Sequence, residues 1–178
     1  DIEESILAMQ WQFNGSLIYY ERYRDTGKRM YLKKARKLRR YLEQVQARGN
    51  PNVSFVSILQ AEEGSIQKSS TVEFIVSAYD SAIAIIVAKG KQARVEAMAN
   101  ERAGLVLAKL GCHAQAKPYL ERAMWIYRHQ WGATAKFEWL QEVSSHFLYQ
   151  PHPEGHNPRG EELVGEVLLI GGDDVPAF

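Results

Sequence analysis

Apolar residues return every three to four positions along most of this chain. Between residues 31 and 45 they are Tyr31, Ala35, Leu38, Leu42 and Val45, with Lys33, Lys37 and Arg40 off the stripe. That spacing puts one face of an α-helix against a core and the other in solvent. Val72, Ile75, Val76, Tyr79, Ala82, Ile83 and Ile86 repeat it, and the run stops at Gly90. Ala116, Leu120, Ala123 and Tyr127 repeat it again after Leu110-Gly111-Cys112. Further helical stretches are expected over 2–23, 53–67 and 93–110. Turn signals fall between them at Thr26-Gly27, Gly49-Asn50-Pro51, Ser69-Ser70, Gly90 and Gly111. Nothing in 1–150 alternates with period two over a useful length. The pattern predicts an all-α body of six or seven helices joined by short connections.

Small residues give the helices a longer period. Gly15, Gly64 and Gly104 fall inside the first helix of successive pairs, and Ala35, Ala82 and Ala123 inside the second. Small side chains at such points let two helices approach closely. A unit of about 40–49 residues holding two helices is a helical-repeat period, so the body should be antiparallel hairpins stacked as a short α-solenoid.

The third unit resembles a tetratricopeptide repeat through Ala103-Gly104, Leu107, Gly111, Ala116, Leu120 and Ala123. It departs from the pattern at Asn100, where the repeat has a bulky aromatic, and at Arg128, where it has proline. The first unit keeps Trp11 and Gly15 at matching places, and the second keeps Tyr79 and Ala82. A narrower resemblance rests on Arg24-Asp25-Thr26-Gly27-Lys28, on 31–38 and 99–104, on Ala123-Met124-Trp125-Ile126-Tyr127 and on Trp131-Gly132-Ala133-Thr134-Ala135-Lys136. These phrases look like the tetratricopeptide region that follows the nucleotide-binding module of large signalling ATPases and hybrid sensor kinases. The resemblance implies a regulatory and interaction scaffold whose chemistry lies in other domains.

Charge separates the body from its end. Residues 151–178 carry six acids and one base, a net of −5, and also hold four of the six prolines. Residues 1–150 carry 21 bases and 15 acids, a net of +6. The reading is therefore a repeat domain over 1–150 and an acidic Pro/Gly-rich extended tail over 151–178. Within the tail, Leu163, Leu168 and Ile170 belong to an apolar strip that seeks burial, on this body or on a neighbouring subunit. Eight cations lie between Lys28 and Arg40. Lys33, Lys37 and Arg40 are its candidate contacts for an acidic partner, set against the plainer reading of a solvated face. Aromatics are not interleaved with these charges as stacking platforms for nucleic acid would require, so a protein or peptide partner is expected.

No residue pattern calls for catalysis or a cofactor. There is no Gly-x-x-x-x-Gly-Lys-Ser/Thr phosphate loop, no Gly-x-Ser-x-Gly elbow and no His-Glu-x-x-His. His152 and His156 form only a weak metal-site candidate, and Cys112 reads as a small turn residue rather than a reactive thiol. Trp11, Trp125, Trp131 and Trp139 are expected between stacked helices. No run of apolar residues is long enough for a membrane span. The single cysteine suggests a reducing, intracellular setting. The start at Asp1 reads as a processed chain or a fragment, from which a targeting segment would already be gone.

Overall fold

The computed structural model describes residues 2–48, 55–90 and 92–148. Among them are seven α-helices and no strand: α1 Ile2–Thr26, α2 Arg29–Ala47, α3 Phe55–Ser65, α4 Val72–Ala88, α5 Ala93–Lys109, α6 His113–Ile126 and α7 Thr134–Leu148. A short π-helical segment, Tyr127–Trp131, joins α6 to α7. The expected stop at Gly49-Asn50-Pro51 lies outside the described residues, as do Leu163, Leu168 and Ile170 with the rest of 151–178.

Local chemistry sets the boundaries. Gly27 ends the α1 segment with φ 65°, its N–H donating to the Tyr23 carbonyl at 2.8 Å. Thr71 caps α4, its hydroxyl accepting from the Phe74 N–H at 3.2 Å. At the end of α5, Gly111 takes φ 75° and donates to Ala108, while the Cys112 N–H donates to Leu107, both at 2.9 Å. These two bonds form a Schellman closure, which needs a residue free to adopt the left-handed conformation. Cys112 is therefore the turn residue expected of it.

Consecutive helices pack as antiparallel pairs, α1 with α2, α3 with α4 and α5 with α6, and α7 lies on α6. Inside each pair a small residue faces a large one. A methyl group on Gly15 would stand 3.0 Å from Leu38, one on Gly64 3.1 Å from Phe74, and one on Gly104 2.5 Å from Leu120. Ala35, Ala82 and Ala123 are all buried in the second helices. The first helices of the second and third pairs also contact the pair before them, α3 touching α1 and α2, and α5 touching α4 and α3.

The core steps along the stack. One cluster joins Phe13, Tyr20, Leu42, Ile58 and Leu59 to Ile86 and Ala99; the next joins Ala61 and Tyr79 to Leu107, Leu120, Ile126 and Leu140. Because residues of α3, α4 and α5 serve both, no gap separates the pairs. This is an all-α helical-repeat architecture.

Candidate protein-interaction surface

The cations of α2 fall into two groups with different fates. Arg36 and Arg39 turn toward α3, where Arg36 Nε lies 2.7 Å and Arg39 Nη2 3.0 Å from Glu63. Arg39 also pairs with Glu43 one turn on, and Tyr20 of α1 donates to Glu63 at 3.0 Å. Burial pushes the Tyr20 hydroxyl well above its usual range, and the Glu63 carboxylate beside it adds to the shift. Lys33, Lys37 and Arg40 instead face outward. All three are exposed and have no acidic partner among the described residues; the Arg40 Nε–H donates only to the Arg36 carbonyl, at 3.3 Å. With Arg29 they form a ridge along α2, each residue three or four positions from the next. Lys34 lies beside this ridge, its ammonium 5.3 Å from the Tyr19 ring centre.

A second charged centre lies inside the stack, where the pattern of positions had pointed only to apolar packing. The Glu62 side chain is wholly buried. Arg24 of α1 reaches it with Nη2 at 2.6 Å, Arg102 of α5 with Nε at 2.6 Å, and the Tyr79 hydroxyl of α4 with a hydrogen bond of 2.9 Å. Arg24 also donates to Ser65 at 2.6 Å. Arg102 continues to Glu21 at 2.8 Å, and Lys109 bridges Glu21 and Asp25. Burial alone would raise the carboxyl pKa of Glu62, but Arg102 and Arg24 outweigh it and hold the group below the usual range. The same contest, with Arg102 and Lys109 as the cations, brings Glu21 down to about 2. Two acids and two arginines thus balance in a site shared by α1, α3 and α5. One signal was present in the sequence: Glu62 sits four positions after Ile58 and three after Leu59, on the stripe that packs inward.

A third centre explains the Trp-Gly-Ala-x-Ala-Lys phrase. Gly132 takes φ 71° after the π segment, and Ala133 donates back to the Tyr127 carbonyl at 2.8 Å. This swings α7 round so that Lys136 Nζ lies 2.9 Å from Glu101, which also accepts from the Tyr127 hydroxyl. The phrase is thus a joint between α6 and α7, locked to α5 by a charge.

The tryptophans correct the expectation that they pack between helices. Trp11, Trp125, Trp131 and Trp139 are all exposed. Three lie under cations: Arg122 over Trp125 at 4.9 Å, Arg94 over Trp131 at 5.6 Å and Lys136 over Trp139 at 4.0 Å. Alternating charges and rings on a surface satisfy both, since a cation over an aromatic face keeps water on its other side. The buried large rings are Phe13, Tyr20, Tyr79 and Tyr127.

An open groove of about 450 Å³ runs between α4, α5 and α6, lined by Val76, Asp80, Asn100, Gln115, Pro118 and Tyr119. The Tyr119 hydroxyl donates to Asp80 at 2.5 Å across it. No group of three His, Cys, Asp or Glu side chains among the described residues could hold a metal ion. No helix among them is long and apolar enough to cross a membrane.

No family model matches the chain, and neither a curated protein nor a solved structure matches it.

Proposed function

We propose that this chain is a non-catalytic helical-repeat scaffold that holds an acidic protein segment along α2, as a subunit of a larger assembly. The division of the α2 cations carries the reading. Arg36 and Arg39 are neutralised within the stack, and Lys33, Lys37 and Arg40 form an exposed ridge with no acidic partner among the described residues. Glu62 and Arg102, each held in its charged form by the other against the pull of burial, are matched within helix-to-helix contacts. That arrangement suits a frame better than a catalyst. A ridge of this kind steers an acidic partner and fixes its register, while apolar contacts supply the durable part of the affinity.

The chain's own sequence offers an acidic segment in 151–178, where Glu161, Glu162 and Glu166 are interspersed with the apolar Leu163, Leu168 and Ile170. It would engage this body or a neighbouring subunit. The test is fluorescence polarisation of a labelled peptide of residues 151–178 with the body 1–150. The parent should bind it, more weakly as salt rises. The Lys33→Glu/Lys37→Glu/Arg40→Glu variant should bind at least about tenfold more weakly, the loss of roughly 1.4 kcal/mol. Equal binding by parent and variant would reduce the ridge to a solvated face.

A second reading is favoured by the Trp131–Lys136 joint, which carries the most specific part of the resemblance to signalling ATPases and sensor kinases. On that reading the chain is a regulatory tetratricopeptide segment, and its catalytic domains lie in other sequence. Micromolar ATP binding by this chain alone, measured by calorimetry, would contradict both readings.

A further inference from the structure

The groove between α4, α5 and α6 sets hydrogen-bond acceptors between apolar walls. Val76, Pro118 and the Tyr119 ring form the walls, and Asp80, Asn100 and Gln115 supply the polar groups. Among the described residues no lysine or arginine lines it. Asp80 is exposed on α4, and its Oδ1 accepts from the Tyr119 hydroxyl at 2.5 Å. No cation among the described residues is paired with it. Asn100, on α5, is only 4% exposed. Its Nδ2 donates back to the Glu96 carbonyl at 2.9 Å, and no donor among the described residues reaches its Oδ1. That oxygen is not sealed off, as the unpaired Gln92 Oε1 and Arg39 Nε are. An amide so deeply set calls for a donor on its free side.

The preceding junction of the stack shows what an acid in this setting receives. Between α2 and α3, Glu63 accepts from the Tyr20 hydroxyl at 3.0 Å and is met by Arg36 and Arg39 at 2.7 and 3.0 Å. Between α4 and α6, Asp80 likewise accepts from a tyrosine hydroxyl, but no guanidinium meets it. The two junctions share an acid with a tyrosine on it. Only the first finds its arginines within the described chain.

We infer that the groove between α4, α5 and α6 receives an arginine side chain of a partner peptide, with Asp80 as its counter-charge and Asn100 Oδ1 as a second acceptor. A guanidinium has five N–H donors in one plane and accepts nothing, so it matches a group of acceptors. Its plane can lie on the Tyr119 ring while its aliphatic stem runs along Val76 and Pro118. An anionic group would be repelled by Asp80, and an apolar side chain would leave Asn100 Oδ1 without a donor. The groove, at about 450 Å³, holds more than one side chain, so residues flanking the arginine share it. Gln115, exposed at its edge, offers an amide to their backbone. This site is opposite in sign to the α2 ridge and stands independently of the acidic segment proposed there.

Amide NMR of the full chain, titrated with acetyl-Gly-Arg-Gly-amide to about 20 mM, covers the millimolar affinity expected of one anchored side chain. The side-chain amide signals of Asn100 and Gln115 should shift and saturate. The matching citrulline peptide, alike in shape but uncharged, should leave them in place. The lysine peptide, lacking the planar fork, should bind at least about threefold more weakly. Asp80→Asn should weaken the arginine peptide about fivefold. Glu121→Gln, which removes an exposed acid of α6 outside the groove, should bind it as the parent does. Absence of a saturating shift at Asn100 and Gln115, an equal response to citrulline, or equal binding by Asp80→Asn would each overturn the proposal. Equal binding of the lysine peptide would overturn the assignment to arginine.

Discussion

Apolar packing runs through the whole stack, but its tightest small-to-large contacts lie inside the helix pairs, whereas the buried ionic centre lies between them. Within α5 and α6, Gly104 lies so close to Leu120 that no side chain fits between them. Across the pairs, α1, α3 and α5 meet through Glu62, Arg24 and Arg102, and α3 meets α2 through Glu63, Arg36 and Arg39. Apolar packing is tolerant of sliding, because any apolar neighbour of suitable volume serves. A buried charge has no such freedom: displaced from its partner, it loses solvation with nothing in return. We read the small-to-large contacts as forming each hairpin, and the ionic centres as fixing how one hairpin is set on the next.

The largest effect should come from the buried carboxylate. Glu62→Gln leaves Arg24 and Arg102 inside the stack without their counter-charge and should lower stability by about 3–5 kcal/mol. Chemical denaturation would measure it. Glu21→Gln, at the same centre but partly exposed, should cost clearly less. If the two variants are equally mild, the ionic centre is not what joins the pairs.

Next in size is the close contact within the third pair. Gly104→Ala puts a methyl 2.5 Å from Leu120 and should destabilise by about 1–3 kcal/mol despite the better helix propensity of alanine. Gly104→Trp and Ala123→Trp should exceed it. A thermal melt matching the parent would mean that the alignment of the repeats is misplaced.

Acid should loosen the joints between pairs. Glu62 and Glu21 are held below the ordinary carboxyl value of 4.5 when folded, Glu21 at about 2. The unfolded chain therefore takes up these protons first. The stability they contribute is complete above about pH 5 and drains away as pH falls toward 2. Denaturation midpoints measured across that window should fall for the parent and fall less for Glu21→Gln.

The smallest effect sharpens the comparison from the other side. A methyl on Gly64 would lie 3.1 Å from the ring of Phe74, which is half in solvent and free to give way. Gly64→Ala should therefore stay within about 0.5 kcal/mol of the parent, the helix gain offsetting the mild crowding. A loss as large as that of Gly104→Ala would show that the second pair is as tightly closed as the third.

How much of this could be read in advance follows the same division. The hairpins were legible because apolar packing writes itself as periodicity. The run from Val72 ends at Ala88 beside Gly90, and Ala35, Ala82 and Ala123 are all buried as their recurrence suggested. Lys33, Lys37 and Arg40 fall on the exposed face because a solvated stripe is the complement of a buried one. The ionic joints were not legible. Arg24, Glu62 and Arg102 lie 38 and 40 residues apart, and charge alone does not distinguish a buried partner from a solvated one. Arg36 and Arg39 belong to the same basic run as Lys33 and differ only in pointing toward α3. The tryptophans misled for a related reason. Trp125, Trp131 and Trp139 satisfy their ring faces with nearby cations at the surface, an alternative to burial that hydrophobic spacing does not reveal.

The claim that charge sets one hairpin on the next is tested most directly by a double-mutant cycle on Glu62 and Arg102, with Glu62→Gln, Arg102→Gln and the pair measured by chemical denaturation. Contact at 2.6 Å inside the stack predicts a coupling of about 2 kcal/mol or more, the double variant being far less damaged than the sum of the singles. Additive losses, with coupling below about 0.5 kcal/mol, would contradict the account and leave the pairs joined by apolar packing alone.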